Sequence, residues 1–334
     1  MDDETGSLFL AADIGGTRTR LLLARVCAEG WRVIRQQETA NRDYAGVEAL
    51  LEDFPGADGN GEQPVAVCLA IAGAIENQNQ SARMTNLPWN VEGERLRARF
   101  GFTRLRLIND FAAQAHGLVC LGAEDFLTLY PGDPEENGVR ALIGAGTGLG
   151  MAMLAGTRQQ PLVLPSQGGL ADFAPRGVRE LALFEALLAR HGRVSLEMLL
   201  SGHGLERIYR HVVGLPFEAP PEAAPGCDAA AISAAALAGE AAAGEALRFF
   251  ARILVVAASN LALTVLPRGG VYLTGGIVPR VLPFLREPEL VEVFRAHPLM
   301  GEVLARIPLY AVRDELLGLK GAARIAAGLT RDDA

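Results

Sequence analysis

The sequence predicts an α/β protein made of a duplicated unit, a strand meander followed by crossover helices, with a cleft between the two halves. The main observation is a pair of glycine-rich turns of one design, Asp13-Ile14-Gly15-Gly16-Thr17 and Gly144-Ala145-Gly146-Thr147-Gly148, set about half a chain apart. Each follows a strand-like run (Leu8 to Ala12; Val139 to Ile143) and leads into a second apolar run (Leu21 to Val26; Met151 to Ala155). Length agrees: 334 residues, 50% of them hydrophobic, can bury the cores of two domains.

In chain order, Leu8–Asp13, Leu21–Val26 and Trp31–Thr39 read as an antiparallel meander. Gly46–Phe54 has helical spacing, Val65–Ala72 is a buried strand, Val91–Phe100 a charged amphipathic helix and Leu105–Ile108 a strand. From Val139 the order of strand, glycine turn and strand begins again. Val178–Arg190, Ser195–Leu200 and Gly204–Val212 carry helical spacing, and Leu215–Asp228, rich in Pro and Ala, reads as a loop. Ala230–Leu266 makes two helices, or one long kinked pair, whose alanines allow close packing. Val271–Thr274 and Ile307–Val312 are strands and Leu316–Gly328 a last helix.

Glycine brings successive amides close to an anion, and the threonine beside each turn adds a hydroxyl donor. Either turn alone would serve an ordinary hairpin equally well. As a pair, they suggest a polyphosphate held from both sides. Neither is a P-loop, since no Gly-Lys-Ser/Thr follows, and neither is a dinucleotide fingerprint, since a strand follows. A third element, the strand Gly270–Thr274 ending in Gly275-Gly276 before a helical pattern, offers backbone against which a flat ring can lie.

Net charge of −8 and a pI near 5.3 argue against a nucleic-acid surface. The acidic start Met1-Asp2-Asp3-Glu4 lacks the regions of a signal peptide, and the apolar run Ile253–Leu266 is too short to span a bilayer, so no membrane partner is expected. Cys27, Cys68, Cys120 and Cys227 show no C-x-x-C spacing and read as reduced thiols of a cytoplasmic protein.

Leu105–Ile108 runs into Asn109-Asp110-Phe111 and a helical segment. Asn or Asp before a helix is most often only a cap. Two consecutive polar residues at a strand end allow a division of labour, with one capping and the other facing the cleft. An aspartate there suits the base that accepts a hydroxyl proton in phosphoryl transfer.

With these pieces in place, the chain resembles the bacterial glucokinase family of the sugar kinase–actin–Hsp70 superfamily. The matching segments are Asp13-Ile14-Gly15-Gly16-Thr17 with Arg20, Met84-Thr85-Asn86, Ile108-Asn109-Asp110-Phe111, Gly144 to Gly150, Asp172-Phe173-Ala174-Pro175, Ser201-Gly202, Asn260 to Leu263 and Thr274 to Arg280, in family order. The resemblance implies two ribonuclease H-like (actin-like ATPase) domains flanking the cleft. A small domain would hold residues 1–109 plus about 313–334, and a large one residues 110–312. It implies ATP and Mg2+ as cofactors, a sugar substrate and a homodimer. Gly15, Gly16 and Thr17 would form the first phosphate loop, Gly146, Thr147 and Gly148 the second, and Gly275 and Gly276 would flank adenosine. Asp110 would take the proton from a sugar 6-hydroxyl, Asn86 and Asn109 would bind the sugar, and Asp13 would hold the magnesium shell through water.

The resemblance breaks at the collar that grips the sugar. Where the family reads Gly-Glu-Gly-Gly-His, this chain reads Ser166-Gln167-Gly168-Gly169-Leu170, and a further family glutamate aligns with Arg190. Each hydrogen bond to a charged group is worth ~1.5–3 kcal/mol, so losing two or three weakens sugar binding by roughly three to five orders of magnitude. The expected activity is ATP-dependent phosphorylation of a hexose 6-hydroxyl, with a collar that weakens or redirects glucose recognition. The alternative is a non-catalytic, nucleotide- or sugar-responsive regulator. An actin- or chaperone-type ATPase leaves the sugar-side residues without a use, and a DNA-binding repressor would need a leading helix-turn-helix that is not here.

Overall fold

The computed structural model describes residues 6–54, 56, 62–85, 87–217 and 228–331. The chain divides into two compact units, Met1–Leu121 with Leu316–Ala334, and Gly122–Glu315.

The first unit opens with the expected meander, β1 (Leu8–Ile14), β2 (Arg18–Cys27) and β3 (Gly30–Ala40), followed by α1 (Val47–Glu52) and β4 (Ala66–Ile71). β5 (Gly73–Glu76), β6 (Ser81–Met84) and β7 (Asn90–Glu92) form a small separate sheet, and α2 (Gly93–Phe100), β8 (Arg104–Asn109) and α3 (Asp110–Gly117) follow. The main sheet has the order β3-β2-β1-β4-β8, antiparallel through the meander and parallel from β1 to β8. Alternation along β1 and β4 sends their side chains to two different cores. Leu8, Leu10, Ala12 and Ile14 join Val67, Leu69 and Ile71 in one core, and Phe9 and Ala11 join Ala66, Cys68 and Ala70 in the other. The small β5–β7 sheet escapes sequence reading because its strands are too short to show a period.

The second unit adds β9 (Phe126–Tyr130), then repeats the design with β10 (Arg140–Ala145), β11 (Leu149–Gly156) and β12 (Pro161–Ser166). α4 (Val178–His191), α5 (Gly202–Val212), α6 (Ala229–Leu237) and α7 (Ala241–Val265) come next, then β13 (Gly270–Thr274), α8 (Val278–Leu285), α9 (Pro288–Arg295), α10 (Gly301–Leu304) and β14 (Leu309–Val312). The sheet order is β12-β11-β10-β13-β14-β9. β12 carries Pro161 and Pro165, which an edge strand tolerates. α7 is the one described helix long and apolar enough to cross a membrane, but 78% of its apolar window is buried inside this unit. There Phe250, Leu254 and Ala258 sit fully inside the core. Most of the expected loop Leu215–Asp228 lies outside the described residues.

Two expectations change. Ser195–Leu200 is not a helix: its first amides leave for another loop, Leu196 N–H to Ala171 O and Glu197 N–H to Gly169 O, both 2.9 Å. The first unit also runs to Leu121 rather than stopping at 109, and regains the chain at Leu316. The reason is α11 (Leu317–Leu329), which packs on α3. Their backbones meet so closely that a Cβ on Gly321 would stand 1.8 Å from Ala113 O, and one on Gly117 2.2 Å from Leu317 O. Small residues at the crossing thus hold Asp110's helix in the first unit.

Candidate active site

In the first unit, β8 ends at Asn109 and α3 begins at Asp110. Asn109 is the helix cap: its Oδ1 accepts from Phe111 N–H at 3.0 Å and Ala112 N–H at 3.3 Å. Its Nδ2 donates to Gly73 O at 3.2 Å and to Asp110 Oδ1 at 2.9 Å. The cap therefore also orients the carboxylate beside it. Burial first, and the nearby charge of Asp13 second, push the Asp110 carboxyl up to about 7 despite hydrogen bonds that oppose the shift.

Asp13 closes β1, paired in register with Arg20 on β2. Burial raises its carboxyl to about 6, against the pull of the Arg20 guanidinium. Among the described residues no hydrogen bond reaches the Asp13 carboxylate. A Cβ on Gly318, at the start of α11, would stand 2.5 Å from Asp13 Oδ2 and would push the carboxylate aside. A confined carboxylate without donors fits a hydrated divalent cation. No cluster of three His, Cys, Asp or Glu residues that would hold a metal directly exists among the described residues.

The first glycine turn closes through Gly15 N–H to Arg18 O at 3.0 Å. A residue that sequence reading missed props it from behind. Buried Asn41 donates from Nδ2 to Gly15 O at 2.8 Å and from its N–H to Thr17 O at 2.9 Å, and accepts from Thr19 Oγ1 at 2.7 Å. Thr17 is exposed, and Gly15 and Gly16 are partly so.

In the second unit, Gly146 N–H donates to Gly148 O at 2.9 Å, and the β10–β11 register resumes at Ala145 opposite Leu149. Thr147 is exposed, and a Cβ on Gly146 would meet nothing within 4 Å, so the turn's outer side is open. Gly276 is open in the same way. Gly275 differs: its φ is +93°, and a Cβ there would stand 2.3 Å from Ala145 O. It locks the end of β13 against the end of β10.

The collar loop follows β12. Gln167 and Leu170 are exposed, Leu170 by 50%, while Gly169 is buried with Leu149 O only 1.9 Å from where a Cβ would be. Arg190 lies in the last turn of α4, exposed. Glu197 ties this loop to the start of β11: its backbone N–H bonds Gly169 O and its Oε2 accepts from Leu149 N–H, both at 2.9 Å. The helical misreading of Ser195–Leu200 hid it. Asn86 lies outside the described residues.

Comparison with known proteins agrees with this architecture. The family model described as Glucokinase matches residues 10–329. A glucokinase of Nostoc sp. is 36% identical, over 97% of this chain and 100% of its own. The crystal structure of a glucokinase from an Antarctic psychrotroph superposes with a TM-score of 0.80 at 30% identity, covering 96% of this chain and 99% of its own. A ROK family glucokinase from Streptomyces griseus, solved with glucose and AMPPNP, shares the fold at 21% identity, with a TM-score of 0.67 over 96% of this chain and 100% of that one. The fold is thus the two-domain actin-like ATPase fold, and the chain belongs to the glucokinase family.

Proposed function

We propose that this protein transfers the terminal phosphoryl group of Mg-ATP to the 6-hydroxyl of a hexose. The observation that carries the reading is Asp110: a carboxylate held at a strand end by Asn109 and raised to about 7. A base of that strength both exists in ionised form near neutral pH and takes a proton readily. Family membership supports hexose phosphorylation, and the glucose and AMPPNP of the Streptomyces structure support the ligand classes.

Each residue then has a task. Asp110 removes the hydroxyl proton, and Asn109, its amide hydrogens committed to Gly73 O and Asp110, keeps that carboxylate aimed. The amides and hydroxyls of Gly15, Gly16 and Thr17, and of Gly146, Thr147 and Gly148, bind phosphate oxygens. The open backbone at Gly276 receives the adenosine ring, while Gly275 shapes that backbone. Asp13 would hold the magnesium shell, and the cation would supply charge neutralisation on the phosphates.

Glu197 takes the place of Arg190 in the collar. Gln167 and Leu170 then remain the altered positions, two contacts instead of three. On the same ~1.5–3 kcal/mol per contact, glucose binding weakens by roughly two to four orders of magnitude. We assign the protein to the cytoplasm as a homodimer, on the family resemblance and on Cys27, Cys68 and Cys120, which form no disulfide among the described residues.

The test is ADP release across a panel of hexoses, with nucleotide binding measured by calorimetry. Turnover with at least one hexose, lost in Asp110→Asn, is expected. Intact Mg-ATP binding with no turnover on any hexose overturns the kinase reading in favour of a ligand-responsive regulator.

A further inference from the structure

The segment Ser195–Gly202 distributes its hydrogen bonds between two loops. Near its start, Ser195 forms an isolated bridge to Asp172, Leu196 N–H donates to Ala171 O and Glu197 N–H to Gly169 O. At its end, Gly202 N–H donates to Gly146 O at 2.9 Å. In between, Glu197 Oε2 accepts from Leu149 N–H at 2.9 Å. Residues 169–172 belong to the collar loop, and residues 146–149 to the second glycine turn and its exit. The two also touch directly, since Gly169 leaves no room for a Cβ beside Leu149 O.

The second carboxylate oxygen of Glu197 accepts no hydrogen bond among the described residues. Glu197 therefore has one oxygen committed to the amide that follows the glycine turn and one that accepts no hydrogen bond from the described residues. A donor that fixes the carboxylate also fixes the Leu149 amide, and the reverse holds equally, because coupling between two sites is reciprocal. This differs from a packing role. A merely structural glutamate would stabilise the unit without joining the behaviour of the two loops.

We propose that the strap Ser195–Gly202, with Glu197 as its positioning residue, couples the collar loop to the phosphate-binding turn, so that a hexose at the one is felt at the other. The ligand names rest on the kinase reading. The mechanical coupling does not.

Hydrogen exchange on the full-length protein, together with calorimetry of Mg-AMPPNP, tests it. Glu197→Ala removes the acceptor. The amides of residues 146–150 and 168–171 should then exchange about tenfold faster together, and Mg-AMPPNP should bind about tenfold more weakly, the worth of one hydrogen bond to a charged acceptor. Amides in α4 and α7 should be unchanged. Glu197→Gln keeps a neutral acceptor and should stay within about threefold of wild type in both readouts. If the alanine variant does not fold, Glu197→Asp shortens the reach to Leu149 N–H while keeping the charge, and should show the same joint loosening. Acceleration at the glycine turn without the collar loop, or equal losses in the glutamine and alanine variants, overturns the coupling. If Mg-AMPPNP binds neither wild type nor variants, the kinase reading falls, and the exchange data still decide the coupling.

Discussion

The two units are built on one plan and line its strand ends with different groups. Strands β3-β2-β1-β4-β8 of the first correspond in order and direction to β12-β11-β10-β13-β14 of the second. In each, a glycine turn joins the first two strands of the meander. The first unit sets carboxylates near the end of β1 and just past β8, Asp13 and Asp110, both pushed up by burial. The second ends β10 and β13 with Ala145 and Thr274, and follows β13 with Gly275-Gly276, open at Gly276. A carboxylate beside its glycine turn, Glu197, accepts from Leu149 N–H. One plan thus carries buried carboxylates in the first unit and open glycine backbone in the second.

The largest expected effect breaks the first unit alone. Asp110→Asn keeps the shape and hydrogen-bonding size of the side chain but cannot accept the proton. Turnover should fall by about 10²–10⁴, the usual worth of a positioned general base, with hexose and nucleotide affinity changed far less. Near-normal turnover would reduce Asp110 to the first residue of α3.

Breaking the second unit should cost binding instead. Gly146→Val points its side chain into open space, so the fold survives while phosphate approach is blocked. Mg-ATP affinity should drop at least about a hundredfold, several lost amide contacts at ~1 kcal/mol or more each, with an unchanged melting temperature. Gly275→Val is the contrast: at φ +93° and against Ala145 O it should destabilise the unit by about 2–4 kcal/mol. Calorimetry beside thermal melts separates the two, and an unaltered ATP isotherm for Gly146→Val would remove that turn from the nucleotide site.

The collar is where the sequence promised least and the structure changed most. Strands were legible because β1, β4 and β10 carry continuous apolar runs, and α4 and α7 because their apolar residues recur at helical spacing. Asp110 was legible from its strand-end position. Glu197 was not, because Leu196, Leu199 and Leu200 imitate a helix face while the backbone amides are drawn to Ala171 and Gly169. Asn41 was hidden for a related reason: a buried asparagine supporting a turn 26 residues away leaves no local pattern. If Glu197 serves the collar, Gln167→Glu with Leu170→His should lower the Michaelis constant for glucose by about 10²–10⁴-fold, two charged hydrogen bonds. Wild type should lie above the ~1 μM–1 mM usual for enzymes, and a glucose Michaelis constant already below about a millimolar would show that other groups have replaced the lost contacts.

The smallest effect compares two histidines, one in each unit. His116 lies on α3, where burial first, and the charges of Arg106 and Arg324 next, hold its pKa down to about 4. His211 ends its helix in the second unit beside Phe217, and burial with the Arg179 charge lowers its pKa in the same direction. The unfolded chain protonates either imidazole near its ordinary value, ~6.5. Below that pH the unfolded state binds a proton that the native state refuses, so stability falls as pH drops from about 6.5 toward 4, and is flat in this respect above 6.5. At pH 5.5 the His116 contribution is about 1 kcal/mol. His116→Gln should therefore flatten the acid side of a stability–pH curve measured by urea unfolding between pH 7.5 and about 5, and His211→Gln should do so less. Exchange protection should place the gain of His116→Gln in α3 and α11. An unchanged slope in that variant would mean that α3 opens enough in the native state for His116 to protonate, and the helix that starts at Asp110 would then be the loose part of the first unit.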